Sequence, residues 1–527
     1  MSQVDKDISL TGGPPASINA TQKTATFIGL FGLFILVLAG FNVNFPNKAI
    51  WLTTSLVSIT AGIILFAQGA YAQKQKGIKN DGVWFKSITS RGFLAWIVGI
   101  VFTGFYVVLY FFPQYLGLVR DGANTGVIGL FDPLSKALSG NPASQWFVYG
   151  TLYTVAILSF GIKFIWKYRH NRYERLRTFS VMFFQTAFAF IIPELMARLN
   201  SDSFKLPFYD LKNIWPLNYY NFEQYRVDEF ISAGNVGVAL LIFGAVSILV
   251  ITPILTYKYG KRWYCSWVCG CGGLAETAGD SFRHLSDKST FAWKVERWVI
   301  HSVVVFVVLM TTAVVSTYLG DNPDKYWLTK NIFLLSVAGL ITLVFALLWI
   351  FKREEFKKDA KVGAVAYFAV IMGLIGYHYI SGSNLFLFQA ESLRSFYGFL
   401  IGAIFSGVIG TGFYPIFGNR VWCRFGCPMA AILGMQQRFF SKFRITTNGG
   451  QCISCGNCST YCEMGIDVKA YAQKGQNIVR SSCVGCGICS DVCPRGVLKL
   501  ENGDDTGASR YEENPITFGN DGVKLNF

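Results

Sequence analysis

Apolar stretches of about twenty residues recur ten times before residue 420 and limit what this chain can fold into. A helix needs about twenty residues to cross the hydrocarbon core of a bilayer. Composition agrees, because 52% of the residues are hydrophobic and only 15% are charged. We therefore predict an α-helical polytopic membrane protein, with spans near residues 25–43, 49–72, 92–112, 146–166, 178–198, 234–256, 297–318, 330–351, 362–381 and 395–417.

The first apolar stretch and the segment before the last one leave the exact number of spans to be decided. The first apolar stretch is long, has no small-x-small cleavage site and is followed at once by a second, so we expect it to be retained rather than removed as a signal peptide. Residues 1–24 before it are predicted to be a disordered cytoplasmic segment. The stretch from Asn384 to Leu393 is apolar enough to form a re-entrant or interfacial piece, which leaves the number of spans open by about one.

Positive charge alternates between the connecting loops. The loops after the second, fourth, sixth and eighth spans and the C-terminal tail are rich in Lys and Arg, which places them together on the cytoplasmic side with both termini. The basic loops, which contribute to the net charge of +16, then face anionic lipid. We therefore expect no nucleic-acid partner. The basic residues in these four loops are Lys74, Lys76, Lys79, Lys86 and Arg91; Lys167, Arg169, Arg172, Arg175 and Arg177; Lys258, Lys261 and Arg262; and Lys352, Arg353, Lys357, Lys358 and Lys361.

The long loop from Asn200 to Ser232, on the opposite side, is aromatic instead. We favour an aromatic belt on the outer membrane interface over a surface that docks a partner. Its aromatic residues are Phe204, Phe208, Tyr209, Trp215, Tyr219, Tyr220, Phe222 and Tyr225.

All 13 cysteines follow residue 264, and eight of them form two runs near the C-terminus. Each run has the spacing Cys-x-x-Cys-x-x-Cys-x-x-x-Cys, which is the bacterial ferredoxin pattern and predicts an α+β domain with two [4Fe-4S] clusters over residues 436–500. In that pattern the fourth cysteine of each run binds the other run's cluster. The predicted ligands are Cys452, Cys455, Cys458 and Cys493 for one cluster, and Cys483, Cys486, Cys489 and Cys462 for the other.

Paired Cys-x-x-Cys motifs also bind zinc, but zinc motifs rarely repeat a full eight-cysteine pattern with a trailing Cys-Pro. Gly456, Gly485 and Gly487 allow backbone amides to approach cluster sulfurs. One position departs from the pattern, since Glu463 follows Cys462 where Pro494 follows the last cysteine of the second run. We expect the surroundings and the potential of that cluster to differ from those of its neighbour.

The other five cysteines lie in an internal repeat. The sequence Gly-x-Arg-x-aromatic-Cys-x-x-x-Cys occurs from Gly260 to Cys269 and again from Gly418 to Cys427, offset by 158 residues. Pseudo-twofold packing of the two halves brings Cys265, Cys269, Cys423 and Cys427 together as a four-thiolate site, which the predicted topology puts at the cytoplasmic surface.

The chemistry of this site stays open among a third iron-sulfur cluster, a copper ion and a reversible dithiol. Cysteines are also common as small packing residues, but two matched sequence contexts favour a metal or redox role. Cys271 is an additional thiol beside Cys269, so these two residues compete for one ligand position.

The order of these motifs resembles the membrane polyferredoxins typified by NapH, the C-terminal half of NosR, and CcoG (FixG/RdxA). That family has two Cys-x-x-x-Cys-Pro motifs at the cytoplasmic ends of transmembrane helices, followed by two ferredoxin motifs, as from Cys265 to Cys493 here. The resemblance covers about residues 235–500. It implies a multi-pass protein of the bacterial inner membrane that transfers electrons between a quinone pool or an extracytoplasmic redox partner and the cytoplasmic side, in support of a respiratory or metalloenzyme system.

The chain also departs from the family. Gly270 replaces the proline of the first motif, and about six spans precede the motif region rather than one or a few. The last residues, 501–527, are polar and predicted to be an extended tail rather than an extracytoplasmic domain. The predicted divisions between the two ends are a transmembrane bundle over 25–233, a repeat-containing bundle over 234–435 and the ferredoxin domain over 436–500.

These features favour an electron-transfer subunit of an oxidoreductase system whose partners are membrane lipid, other redox subunits or a respiratory complex, and a soluble electron carrier. Glu194 and His378 are candidates for a quinone site. Two alternatives remain at this stage: a copper or iron reductase for metalloenzyme assembly, and a redox-driven transporter or ion-pump subunit.

Overall fold

A computed structural model describes residues 18–71, 86–120, 122–201, 204–381, 385–386, 388–503, 516–519 and 522–525. The greater part of the predicted N-terminal segment, 1–17, lies outside this range, as do Lys74, Lys76 and Lys79 of the second loop.

Ten helices in the described part of the chain are long and apolar enough to cross a membrane. The prediction of a polytopic helical membrane protein is therefore confirmed, with each predicted span matched by one helix. Spans 1 to 10 are Ala20–Gly40, Lys48–Tyr71, Phe93–Phe111, Gln145–Lys167, Arg172–Leu199, Asn235–Tyr259, Thr290–Asp321, Lys330–Glu355, Lys358–Ser381 and Ala390–Gly412.

Span 1 begins at Ala20, so the last five residues of the segment predicted to be disordered are helical. The reason is a capping box: the Asn19 side chain accepts a hydrogen bond from Gln22 N, and the Gln22 side chain accepts one from Asn19 N. Span 10 likewise begins at Ala390, and the expected re-entrant piece before it contains the short strands β1 (Leu385–Phe386) and β2 (Phe388–Gln389).

Shorter elements connect the spans and form the C-terminal domain. The other strands are β3 (Phe443–Thr447), β4 (Leu498–Asn502), β5 (Ile516–Gly519) and β6 (Gly522–Leu525), so parts of the tail predicted to be extended pair as β-strands. The short helices are Lys86–Thr89, Pro113–Leu116, Gly126–Leu138, Tyr219–Phe222, Gln224–Ser232, Arg262–Cys265, Gly270–Thr277, Ala278–Leu285, Tyr414–Phe417, Trp422–Gly426, Pro428–Phe440, Gly449–Gln451, Asn457–Thr460, Val468–Gln473 and Ile488–Asp491.

The basic loops gather on one side of the bundle, as their alternation predicts. In the loop after span 2, Arg91 donates hydrogen bonds to Ile416 O and Leu285 O. In the loop after span 4, Asn171 donates to Asp491 of the C-terminal domain at 2.9 Å. These loops and the ferredoxin domain therefore share one face of the membrane-spanning bundle.

The aromatic loop on the opposite side does not lie flat on an interface, contrary to the favoured interpretation. Tyr209 and Lys212 in its middle are only 3% and 7% exposed, and Trp215 donates a hydrogen bond to Thr311 inside span 7. Some of its polar side chains find partners within the fold, such as Asn213 with Asp210 at 2.7 Å, and these hydrogen bonds offset part of the cost of burying the loop. Its ends are exposed, as at Phe204.

The C-terminal domain is built on the antiparallel pair of β3 and β4, which joins Phe443 to Asn502 and Thr447 to Leu498. The helix Pro428–Phe440 connects it to span 10 and crosses the predicted boundary at residue 436. On this helix Gln437, 1% exposed, accepts a hydrogen bond from Lys261 N and donates to Cys483 O. The domain is thus hydrogen-bonded to the membrane bundle through buried contacts.

Candidate redox centres

The eight cysteines of the ferredoxin motifs surround two separate cavities. Cys452, Cys455, Cys458 and Cys493 line one cavity, called the distal set below. Cys462, Cys483, Cys486 and Cys489 line the second cavity, called the proximal set. Each cavity thus combines three cysteines of one run with the fourth cysteine of the other, which is the donor set that a [4Fe-4S] cluster requires.

Two glycines set the local geometry of these runs. Gly456 and Gly487 have φ angles of 79° and 92° and precede the short helices that carry Cys458 and Cys489. This left-handed conformation is unfavourable for a residue with a Cβ atom, which explains why glycine stands before the third cysteine in both runs.

The proximal set lies against the membrane bundle. Ser266 Oγ donates to Val484 O at 2.9 Å, and Tyr173 donates to Gly485 O at 2.8 Å. Ile453, in the distal run, is 58% exposed. The proximal set therefore adjoins the membrane bundle, whereas the distal run includes a residue exposed at the surface.

The five remaining cysteines come together as well, and we call them the membrane-core centre. Cys265 lies within electrostatic range of Cys269 and Cys423, and Cys427 lies within range of all three. Cys271 interacts with Cys269 through its thiol and lies near Cys423 and Cys427. The convergence expected from the repeat is present in the structure, with four of the five residues less than 9% exposed.

Backbone hydrogen bonds match between the two halves of the repeat. Cys269 N donates to Tyr264 O at 2.8 Å, as Cys427 N donates to Trp422 O at 2.9 Å. Cys269 and Cys427 are each the N-cap residue of the helix that follows. Cys269, rather than Cys271, is therefore the structural counterpart of Cys427.

The depth of this centre differs from the prediction. Gly270 lies between Cys269 and Cys271. A Cβ atom placed on Gly270 would stand 2.6 Å from Gln185 Oε1 and 2.8 Å from Lys212 Nζ. Gln185 stands halfway along span 5, and Lys212 belongs to the loop on the side opposite the ferredoxin domain. The centre thus lies inside the bundle near mid-depth rather than at the cytoplasmic surface.

Small residues explain this depth. After span 6 the chain turns back into the bundle through the helix Gly270–Thr277, which packs on spans 4 and 5. A Cβ at Gly273 would stand 2.2 Å from the Val181 side chain, so only glycine permits this approach. The segment is too short and too mixed in polarity to stand out as a separate apolar stretch.

A buried charged cluster connects the membrane-core centre with the proximal set. Arg420, 1% exposed, donates to Cys423 Sγ at 3.5 Å and to Cys265 O at 3.3 Å. Its guanidinium also forms ion pairs with Glu276 at 2.5 Å and Glu463 at 3.0 Å. Because Glu463 directly follows Cys462, one arginine spans the region between the two sets of thiols.

The same cluster holds further charges. Arg283 pairs with Glu276, with Asp280 at 2.8 Å and with Glu463 at 2.7 Å. Lys167 of span 4 pairs with Asp280 at 2.7 Å. The position of Glu463, where the second run has proline, is thus explained by its place among the arginines that join the domain to the bundle.

These contacts shift the pKa values of the carboxyl groups in the cluster. Burial by itself would raise the pKa of Glu276, yet the guanidinium groups of Arg177, Arg283 and Arg420 hold it well below its usual range. Burial likewise opposes ionisation of Asp280, but Lys167, Arg283 and Lys163 keep its pKa below the ordinary value. Both carboxyl groups are therefore ionised at neutral pH.

Sequence reasoning missed Lys212, Glu276 and Asp280 as parts of this region. Each is an isolated charge in sequence, and only its contacts across the fold give it a place near the thiols. Of the suggested quinone residues, Glu194 lies beside Ser139 and His378 is buried against Ser316 at 3.2 Å, and neither is among the residues shown above to surround the thiols.

Comparison with protein families agrees with these donor sets. Residues 451–498 match a family described as a 4Fe-4S dicluster domain. Residues 241–289 and 397–446, the two halves of the membrane repeat, each match a family described as a 4Fe-4S binding domain. The chain is a membrane-bound 4Fe-4S protein. Its C-terminal domain holds two [4Fe-4S] clusters, as predicted.

One curated relative matches part of this chain. "Putative electron transport protein YccM" of Escherichia coli (strain K12) is 23% identical over 232 residues, which cover 44% of this chain and 50% of the relative. The match thus spans about half the length of that protein. No solved structure matches. Together with the family matches, this supports electron transfer by a membrane-type 4Fe-4S protein.

Proposed function

We propose that this protein conducts electrons through the membrane interior, between a quinone pool or an extracytoplasmic redox partner on one side and the two ferredoxin clusters on the other. Electrons would pass through the membrane-core centre, the proximal cluster and then the distal cluster, in either direction. The clusters act as a wire, because a [4Fe-4S] cluster bound by four thiolates has no open coordination position for a substrate.

The observation that carries this proposal is the position of the membrane-core centre. Lys212 reaches it from the loop opposite the ferredoxin domain, and Arg420 connects it with Glu463 beside the proximal set. A redox group at mid-depth shortens the step across the bilayer from one long transfer to two shorter ones. The distal set lies next to the exposed residue Ile453, which gives a soluble electron carrier a place to approach it.

We propose a third [4Fe-4S] cluster, rather than copper or a dithiol, at Cys265, Cys269, Cys423 and Cys427. Four buried thiols from two matched backbones provide the four-thiolate donor set of such a cluster. The 4Fe-4S binding domain matches over both repeat halves support the same cofactor. The ligands of the other two clusters are the distal and proximal sets.

The basic loops that share a face with the ferredoxin domain support a cytoplasmic location for that face, with both termini inside, in a bacterial inner membrane. Arg480, Arg297 and Lys357 gather around the Trp293 ring at 4.3 to 5.0 Å on this face. Such a cluster suits contact with anionic lipid headgroups. The partner on the other face would be a quinol or a redox protein of a respiratory or metalloenzyme system.

Metal analysis of the full chain, purified anaerobically in detergent, tests the number of clusters. We expect about twelve irons and twelve sulfides per chain, in three clusters that EPR resolves after stepwise reduction. Cys265→Ser and Cys423→Ser should each reduce the iron content to about eight and remove one EPR signal.

About eight irons in the wild-type chain, unchanged in Cys265→Ser, would refute a cluster in the membrane core. Copper in stoichiometric amount would instead favour the metal reductase. A matched control is Cys271→Ser, which removes a neighbouring thiol that we do not assign as a ligand. A second test uses the chain in vesicles: a membrane-impermeant reductant added on one side should reduce an acceptor on the other, and Cys423→Ser should abolish this.

A further inference from the structure

Buried cations lie near the membrane-core centre on both of its sides, and Lys261, next to Cys265 in space, is one of them in addition to the two described below. Arg420 donates to Cys423 Sγ at 3.5 Å from the side of the ferredoxin domain. On the other side, Lys212 Nζ lies 2.8 Å from the position of a Cβ on Gly270, the residue that follows Cys269, and interacts with the Cys269 thiol. Both cations are at least nine-tenths buried.

The two cations differ in how their charge is compensated. Lys212 Nζ donates a hydrogen bond to the neutral amide oxygen of Gln185 at 3.1 Å, with Asp210 as a more distant countercharge. Arg420 forms ion pairs with Glu276 and Glu463 through Nη2 and Nε, and its Nη1 atom donates to Cys423 Sγ and Cys265 O. A buried cation is costly unless a negative group compensates it.

We propose that Arg420 and Lys212 are positioning residues that stabilise the reduced state of the membrane-core centre and so raise its reduction potential. The inference rests on the proposed cluster at this centre. Reduction adds one electron to the cluster and takes one from the neighbouring cluster that donates it, with no bond formed or broken. Two fixed cations in a region of low dielectric favour the added negative charge.

The repeat provides a matched control for Arg420. Arg262 is its counterpart in the first half, but its guanidinium lies over the Phe443 ring at 4.5 Å and donates to Asn502, and it makes no hydrogen bond to a membrane-core thiol in the described part of the chain. The two arginines thus have the same motif position, the same formal charge and similar neighbours in sequence, and differ in whether they contact a cysteine sulfur.

The test is an EPR-monitored redox titration of each cluster in the full chain. We expect Arg420→Gln to lower the midpoint potential of the membrane-core signal, Lys212→Met to lower it by a smaller amount, and Arg420→Lys to restore part of the loss. Potentials of the distal signal should stay unchanged in all three. Arg262→Gln should leave the membrane-core signal at its wild-type value.

Several outcomes would overturn the inference. An unchanged membrane-core potential in Arg420→Gln at full iron content would do so, as would an equal shift in Arg262→Gln, which would indicate a general effect of net charge. If Arg420→Gln does not fold, Lys212→Met and Arg420→Lys decide the question. Lys212→Met leaves the ion pairs of Arg420 in place, and Arg420→Lys keeps the positive charge at position 420. Absence of a third signal in the wild type would instead refute the proposed cluster, and iron analysis distinguishes that result.

Discussion

The two halves of the membrane repeat have the same backbone and different electrostatic surroundings. Gly260 and Gly418 turn the chain with φ angles of 66° and 92°, and the second cysteine of each half caps a helix. Beyond the backbone the halves diverge. Arg420 is buried between carboxylates, whereas its counterpart Arg262 stacks on an aromatic ring near the surface.

The carboxylate partner of Arg420, Glu276, also occurs in only one half of the repeat. Glu276 stands seven residues after Cys269, and the matching position after Cys427 is Gly434, which packs against the backbone of Ser481 in the ferredoxin domain. The frame that holds the thiols is therefore duplicated, while the first half supplies the acid Glu276 and the second half supplies Arg420 and the close backbone contact.

The largest expected effect tests the duplicated frame. Cys269→Ala and Cys427→Ala should each lower the iron content by about four per chain, because each removes one corner ligand of the same cluster. Cys271→Ala should retain the iron, since Cys271 has no counterpart in the second half. Iron analysis and EPR of the three variants check this. Loss of iron in Cys271→Ala alone would mean that the backbone match does not identify the ligand.

Replacing Glu276, the acid found only in the first half, should give the next largest effect, which is on stability. Glu276→Gln leaves Arg177, Arg283 and Arg420 without a shared carboxylate, and breaking such a buried network costs about 3–5 kcal/mol. We expect a clearly lower thermal unfolding midpoint in detergent. Glu355→Gln is the control, because its ion pair with Lys352 is largely exposed and is worth about 0–1 kcal/mol. Equal midpoints for the two variants would contradict a structural role for the cluster.

Asp280 permits a test by pH. Its folded-state pKa is lowered, so its contribution to stability is fully present above the unfolded-state value of about 4 and is lost as the pH falls further. Asp280→Asn should therefore lower the free energy of unfolding by about 3 kcal/mol at pH 7, with the difference from wild type constant down to about pH 5 and smaller below pH 4. Thermal unfolding at a series of pH values measures this. A difference that already vanishes at pH 6 would refute the assignment.

The smallest predicted effect concerns the close contact in the second half. A Cβ at Gly434 would stand 2.5 Å from Ser481 O, a backbone atom that cannot rotate away, so Gly434→Ala should destabilise the chain by about 1–3 kcal/mol. Gly376→Ala in span 9 is the control, because nothing lies within 4 Å of its Cβ position. If Gly434→Ala matches the control, the domain does not depend on this contact.

The spans and the donor sets were predictable because their signals are local. Span 8, for example, is a continuous apolar stretch, and Cys452 to Cys462 carries its spacing within eleven residues. The repeat also predicted that Cys265 and Cys423 would meet. Each of these inferences uses a pattern that the chain repeats or that physical chemistry ties to a fixed length.

The depth of the membrane-core centre and its charged neighbours were not predictable in this way. The segment after span 6 turns inward because Gly270 and Gly273 allow close packing on spans 4 and 5, which lie far earlier in the chain, and no local pattern reveals this contact. Lys212 was read as part of an outer loop, and its approach to Cys269 depends on how that loop packs. Buried charges are paired across the fold, so their partners appear only once the chain is folded.

The separation of the two cysteine pairs has a consequence for biogenesis. Cys265 and Cys423 are 158 residues apart, with spans 7 to 10 between them. During synthesis the first pair enters the membrane well before the second exists, so the complete four-thiol pocket forms only after span 10 has been inserted. If the proposed cluster forms at this centre, its four ligands are all available only after translation has passed residue 427.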